Sequence, residues 1–193
     1  MKLIGFPRRY LNAPECTGEE WWNFYKQAAS CIKKGGIVVA YGAHGTGKTR
    51  MSYELAKSAE VPASTYKRGG IEVDHPRIYT TAVNLFMDIR SSYNSDEGPS
   101  EREIISGLTN AAFLVIDEIQ ERGETAFEDR KLTQIIDARY MDGRPTMLIS
   151  NFDRKRFAET LSPAVLDRIR EGGVGLHFNW GSFRKPDLTE VTF

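Results

Sequence analysis

The chain has 193 residues, 40% of them hydrophobic and 27% charged, with 26 basic side chains balanced by 26 acidic ones. That composition excludes a disordered chain and suits one ordinary domain with a real core, and the zero net charge means that any nucleic-acid surface must be local. Cys16 and Cys31 lie outside any C-x-x-C pair, and His44, His75 and His177 are scattered, which excludes a disulfide scaffold and gives zinc no ligand spacing. No stretch approaches the roughly 20 apolar residues of a membrane span, and "MKLIGFPRRY" lacks a signal-peptide core, so a soluble, cytoplasmic chain with no membrane partner is expected.

Residues 1–16 read as an extended lead-in with Pro7 and Pro14. "TGEE" at 17–20 has the form of a capping box, Thr17 to Glu20, opening the helix "EEWWNFYKQAASCIKK". Trp21, Phe24, Ala28 and Cys31 or Ile32 recur at helical spacing as a core stripe, and Gly35-Gly36 ends the helix. "IVVAY", 37–41, is a β-branched apolar run of the kind buried on both faces of a parallel sheet. After a glycine loop, "KTRMSYELAKSA" places Met51, Leu55 and Ala59 on one helical face. Residues 60–76 read as loop, "RIYTT" as a strand, "AVNLFMDIRSSY" as a helix, "NSDEGPS" as a loop and "EREIISGLTN" as a helix. "AFLVIDE" is the clearest strand, followed by the helix "DRKLTQIIDARYMDG", the strand "TMLISN", the helix "SPAVLDRIREGG" with Pro163 in its first turn, and the strand "VGLHFNW". Strand and helix alternate, which predicts an α/β fold: a parallel sheet sandwiched by helices. One domain over 1–193 is expected, with a lead-in and N-terminal helix over 1–35 and the core over 36–193.

"GAHGTGKT", 42–49, follows the first long strand and opens a helix with the spacing G-x-x-x-x-G-K-T. Glycines let backbone N–H groups converge on an anion, and the helix that follows presents its positive end. Gly42, Ala43, His44, Gly45, Thr46 and Gly47 would form the cradle of a nucleoside triphosphate, Lys48 would reach the β and γ phosphates, and the Thr49 hydroxyl would ligate Mg²⁺. Such a site needs an acid at the end of an apolar strand, and "FLVIDE" supplies Asp117 for the metal and Glu118 as general base toward water. Asn151, ending "TMLIS", either sits between γ-phosphate and water or opens a loop. Arg168 and Arg170 in "LDRIREGG" either stabilise phosphoryl charge or lie on a helix surface.

The runs "LVIDEIQ", "IIDARYMDGRPTMLISNF" and "LDRIREGGVGLHFNWGSFR" resemble the ATPase module of bacterial replicative helicase loaders of the DnaC/DnaI type, and "PRRYLNA" resembles the lead-in of that module near the nucleotide base. The resemblance runs from about Pro7 to about Lys185, and the "DRIREGG" to "SFR" signature separates loaders from transposition ATPases of the IstB type. It implies a P-loop NTPase fold of AAA+ type that binds ATP and Mg²⁺ between self-associated subunits, with a replicative helicase and single-stranded DNA as partners. It implies Lys48 and Thr49 as Walker A, Asp117 and Glu118 as Walker B, and Asn151 as sensor 1. Arg168 falls at the finger acting on a neighbour's ATP, and Arg184 at sensor 2. Arg90 and the cluster Arg154, Lys155 and Arg156 fall where a DNA path is expected, with a solvated basic face as the competing reading. Loaders carry a separate N-terminal helicase-gripping domain, which is expected to be absent because the lead-in begins almost at Met1. Two alternatives stand beside an ATP-hydrolysing loader: an IstB-type ATPase on duplex DNA, and a non-catalytic decoy or adaptor that occupies the helicase.

Overall fold

A computed structural model describes residues 2–11, 18–61, 65–68, 71–93 and 98–183, with 65–68 and 71–74 described as backbone. Strands β1 (Leu3–Ile4), β2 (Ile37–Gly42), β5 (Arg77–Thr81), β6 (Phe113–Asp117), β7 (Thr146–Ile149) and β8 (Gly173–Phe178) form one sheet in the order β1-β5-β6-β7-β2-β8. Every pairing in it is parallel. Ile37–Ala40 align with Thr146–Ile149 on one side and with Gly173–Leu176 on the other, while Leu114–Ile116 align with Thr146–Leu148. The carboxyl ends of β2, β6 and β7 therefore finish together, where ligands of open α/β sheets bind.

Both faces are covered, as the apolar runs require. Val38, Ala40, Phe113, Val115, Met147 and Ile149 pack with helices α1 (Glu19–Lys33) and α2 (Lys48–Ser58). Ile37, Val39, Leu114, Ile116 and Leu148 pack with α3 (Ala82–Ser91), α4 (Glu101–Asn110), α5 (Ala126–Met141), α6 (Arg154–Glu159) and α7 (Pro163–Gly172). Along α1, Trp21, Ala28 and Ile32 are buried, which bears out the predicted stripe. Ser100 opens α4 with a reciprocal capping box to Glu103, and Ser162 caps α7 ahead of Pro163.

Two buried arginines tie elements together through backbone carbonyls. Arg77 donates to the carbonyls of Ala56 (2.8 Å) and Ala59 (3.0 Å), closing the negative end of α2. Arg139, fully buried, donates to the carbonyls of Leu108 (2.7 Å), Thr109 (3.2 Å), Ala111 (2.8 Å) and Pro145 (2.6 Å) and to the Thr146 hydroxyl (2.8 Å). It thereby joins the end of α4 and the entries to β6 and β7.

Two local expectations need correction. Within 60–76, read as loop, Thr65–Arg68 (β3) and Ile71–Asp74 (β4) form an antiparallel hairpin. Each strand is only four residues long and "TYKR" holds a single apolar side chain, too little for hydrophobic periodicity to register. The lead-in contributes β1, a two-residue edge strand beside β5 too short to read from pattern. The basic cluster 154–156 begins a helix capped by Asp153. Thr17 and Cys16 lie outside the described residues; α1 opens with Gly18 at its N-cap and Glu19 and Glu20 in its first turn.

Candidate functional site

The loop between β2 and α2 takes a conformation that glycine permits and side chains resist. Gly42, Gly45 and Gly47 have φ of +121°, +78° and +91°. A Cβ on Gly42 would lie 2.3 Å from the Phe178 carbonyl oxygen, and one on Gly47 would lie 2.9 Å from Trp21 Nε1. Lys48 is the first residue of α2 and is buried; its Nζ donates to the carbonyls of Gly42 (2.8 Å) and Ala43 (2.6 Å). The ammonium thus lies folded over the loop, within the ring of groups that an anion would meet.

Residues 44–50 line a cleft of about 510 Å³ together with Arg9, Tyr10, Tyr79, Asp117, Glu118 and Asn151. A larger cavity of about 880 Å³ lies at the opposite ends of the strands, near Cys31, Gly36 and Tyr140, and is lined by none of the candidate site residues. Position and chemistry, not size, mark the smaller cleft as the site.

Its centre is Asp117. The Thr49 hydroxyl donates to Asp117 Oδ2 at 2.7 Å and the Tyr79 hydroxyl to the same oxygen at 2.9 Å, while the Glu118 backbone N–H donates to Oδ1 at 2.7 Å. Thr49 and Asp117 bring two hard oxygen donors together, the donor type that Mg²⁺ prefers, with room in the cleft for phosphate oxygens and water to complete the shell. No group of three or more His, Cys, Asp or Glu that could hold a metal alone occurs among the described residues, so a divalent ion here would need the substrate's oxygens. Burial and the adjacent Asp117 carboxylate push the Tyr79 phenol well above its ordinary value, so it stays a donor.

Glu118 adopts the left-handed conformation, φ 55° and ψ 44°, which turns it out of the line of β6. Desolvation first, then the charges of Asp117 and Glu121, raise its carboxyl above the ordinary glutamate value. A carboxylate with raised basicity, facing a cleft, is suited to accept a proton from water. The Asn151 backbone N–H donates to Gln120 Oε1 at 3.1 Å, which ties the end of β7 to the turn after Glu118.

The remaining candidates sit elsewhere. Arg168 on α7 does not line the cleft of its own chain; its Nε lies 3.1 Å from Asp137 Oδ1 and its guanidinium 5.0 Å from the Tyr140 ring centroid. Arg90 is paired with the buried carboxylate of Glu128 at 2.6 Å. Arg154, Lys155 and Arg156 are exposed on α6, with Arg156 at 4.3 Å from the Phe152 ring centroid. Arg184 lies outside the described residues.

Sequence reasoning passed over Tyr79 and Gln120. Tyr79 reaches Asp117 because β5 lies beside β6, and strand order is invisible in local pattern.

No family model matches the chain. The solved structure of AMPPCP-bound DnaA from Aquifex aeolicus matches 90% of this chain and 51% of its own, with a TM-score of 0.68 at 18% identity. A crystal structure of the DnaC helicase loader matches 89% of this chain and 99% of its own, with a TM-score of 0.66 at 18% identity. The fold is that of an AAA+ P-loop ATPase domain. In sequence, the chain is 34% identical over 109 residues to the replicative helicase loader DnaC of Buchnera aphidicola subsp. Baizongia pistaciae. That match spans 56% of this chain and 44% of the relative, so the chain is a homologue of DnaC loaders over about half its length. No helix among the described residues is long and apolar enough to cross a membrane.

Proposed function

We propose that this chain binds ATP with Mg²⁺ in the cleft at the strand ends, hydrolyses it slowly when alone, and serves DNA replication by helping to place a replicative helicase on single-stranded DNA. The observation that carries the nucleotide reading is the 2.7 Å contact between Thr49 and Asp117, which brings the end of the glycine loop to the acid of β6. The helicase reading is supported by the similarity to DnaC loaders over the matched 109 residues.

In this reading the loop N–H groups and Lys48 hold the phosphates, the ammonium exchanging the carbonyls of Gly42 and Ala43 for phosphate oxygens. Thr49 and Asp117 would hold Mg²⁺, which when bound neutralises charge on the phosphate oxygens. Glu118 orients a water and takes its proton; Asn151 stands at the other side of that water. Arg168 acts on the cleft of a neighbouring copy, in keeping with its place off its own cleft. Self-association through the ATP site follows, as does low turnover by a lone subunit. For a DNA path Arg154, Lys155 and Arg156 are the exposed candidates, whereas Arg90 would have to leave Glu128.

The test mixes the purified chain with the replicative helicase of the organism that encodes it and follows co-elution with ATP, with ADP and without nucleotide. ATP-dependent co-elution, lost in Lys48→Ala together with ATP binding, is the expected result. Tight ATP binding by the wild type without co-elution in any state would leave the nucleotide reading and remove the helicase one.

A further inference from the structure

The back of the phosphate loop is held by aromatic residues that the phosphate motif does not require. Trp180 Nε1 donates to the Thr46 carbonyl at 3.0 Å, Trp21 Nε1 to the Gly47 carbonyl at 3.3 Å, and the Phe183 backbone N–H to the Gly45 carbonyl at 2.9 Å. Three consecutive loop carbonyls are therefore drawn toward one wall, built from the first turn of α1 and the segment after β8. A peptide group is planar and trans, so its C=O and N–H point in opposite directions. Drawing the carbonyls of residues 45, 46 and 47 to the wall aims the N–H groups of Thr46, Gly47 and Lys48 away from it, toward the cleft that these residues line.

The wall is rigid. Trp21 is 1% exposed, and Trp180 packs against Phe24 and Phe178 at centroid distances of 5.3 and 4.9 Å. It also sets a steric condition on the loop, since a Cβ at Gly47 would meet Trp21 Nε1 at 2.9 Å and the Phe183 ring at 3.2 Å. A loop whose peptides are oriented in advance loses less order when an anion arrives.

We propose that Trp21 and Trp180 are positioning residues for nucleotide binding: their indole N–H groups lock the loop peptides in the orientation that receives phosphate. The proposal rests on the phosphate reading of the cleft. A hydrogen bond of this kind is worth about 0.5–1.5 kcal/mol net, so removing one N–H should weaken nucleotide binding roughly three- to tenfold.

Calorimetric titration with ADP, with ATP and with inorganic triphosphate tests this on the wild type, Trp21→Phe, Trp180→Phe and Trp22→Phe, the last being a ring on the same helix with no bond to the loop carbonyls above. Because phenylalanine also changes packing, a Trp22→Phe chain grown with 3-benzothienylalanine in place of tryptophan supplies the decisive sample: both rings keep their shape and lose only the N–H. The expected result, measured against Trp22→Phe with ordinary tryptophan, is weaker binding of ATP and of inorganic triphosphate by a similar factor, in a nucleotide-free protein that still unfolds cooperatively in urea. Wild-type affinity in the benzothienyl protein would overturn the proposal and leave the phosphate reading standing. A wild type that binds none of the three ligands would overturn both.

Discussion

Replacing Arg139 by Met should cost about 3 kcal/mol of folding stability. Burial lowers the basicity of this guanidinium to about 9, so it is charged at neutral pH, and it makes five hydrogen bonds inside the protein. Methionine fills much of the space and donates none of them. The carbonyls of Leu108 and Thr109 lie in the last turn of α4, where helical partners run out, and the Ala111 carbonyl loses its guanidinium as well. At about 1–3 kcal/mol for each buried group left unpaired, three such groups give roughly 3–9 kcal/mol. Removing a buried cation without a carboxylate partner returns several kcal/mol of desolvation, which brings the net to about 3. With a urea slope of about 2 kcal/mol/M, the midpoint should fall by roughly 1.5 M, and Arg139→Lys, which keeps the charge but fewer bonds, should fall between. A midpoint that drops by less than about 0.5 M, or rises, would refute the claim that this arginine is a net clamp on the entries to β6 and β7. Those two strands carry Asp117 and lead to Asn151, so the same variant should also weaken nucleotide binding.

Three further outcomes concern ATP turnover. Glu118→Gln should keep ATP affinity and lose hydrolysis by at least about 100-fold. In the wild type the base must be ionised and its folded pKa is raised, so the rate should fall as pH drops through a value above the ordinary 4.5; an acid limb at or below 4.5 would remove Glu118 from that role. Arg168→Ala should bind ATP normally and lose hydrolysis about 1,000-fold, with turnover restored on mixing with Glu118→Gln subunits that retain the arginine. Full turnover by Arg168→Ala alone would dismiss a finger supplied by a neighbour.

The sheet was legible because parallel strands buried on both faces are written as uninterrupted runs such as "IVVAY" and "FLVID", and both are buried strands here. The phosphate loop was legible because glycine spacing, lysine and threonine each answer a local need. What escaped was set by distance along the chain. Tyr79 meets Asp117 only through the order of β5 and β6, and Trp180 meets Thr46 only because β8 runs beside β2. Arg90, expected on a DNA path, carries a more immediate duty to Glu128, a carboxylate buried in α5 that no local pattern announces as its partner.

The strand order also constrains how the chain reaches its fold during synthesis. Strand β2 is made early, yet its two neighbours are β7 and β8: Ile37 waits for Thr146 and then for Gly173. At a synthesis rate of about 5–20 residues per second, that wait lasts on the order of ten seconds, while an apolar strand that ends up flanked on both sides lacks both neighbours. Helices α1 and α2 flank it in sequence and can cover one face meanwhile, but the other face belongs to helices not yet made. Truncation before β7 should therefore leave apolar surface uncovered and yield an insoluble product in place of a smaller folded unit.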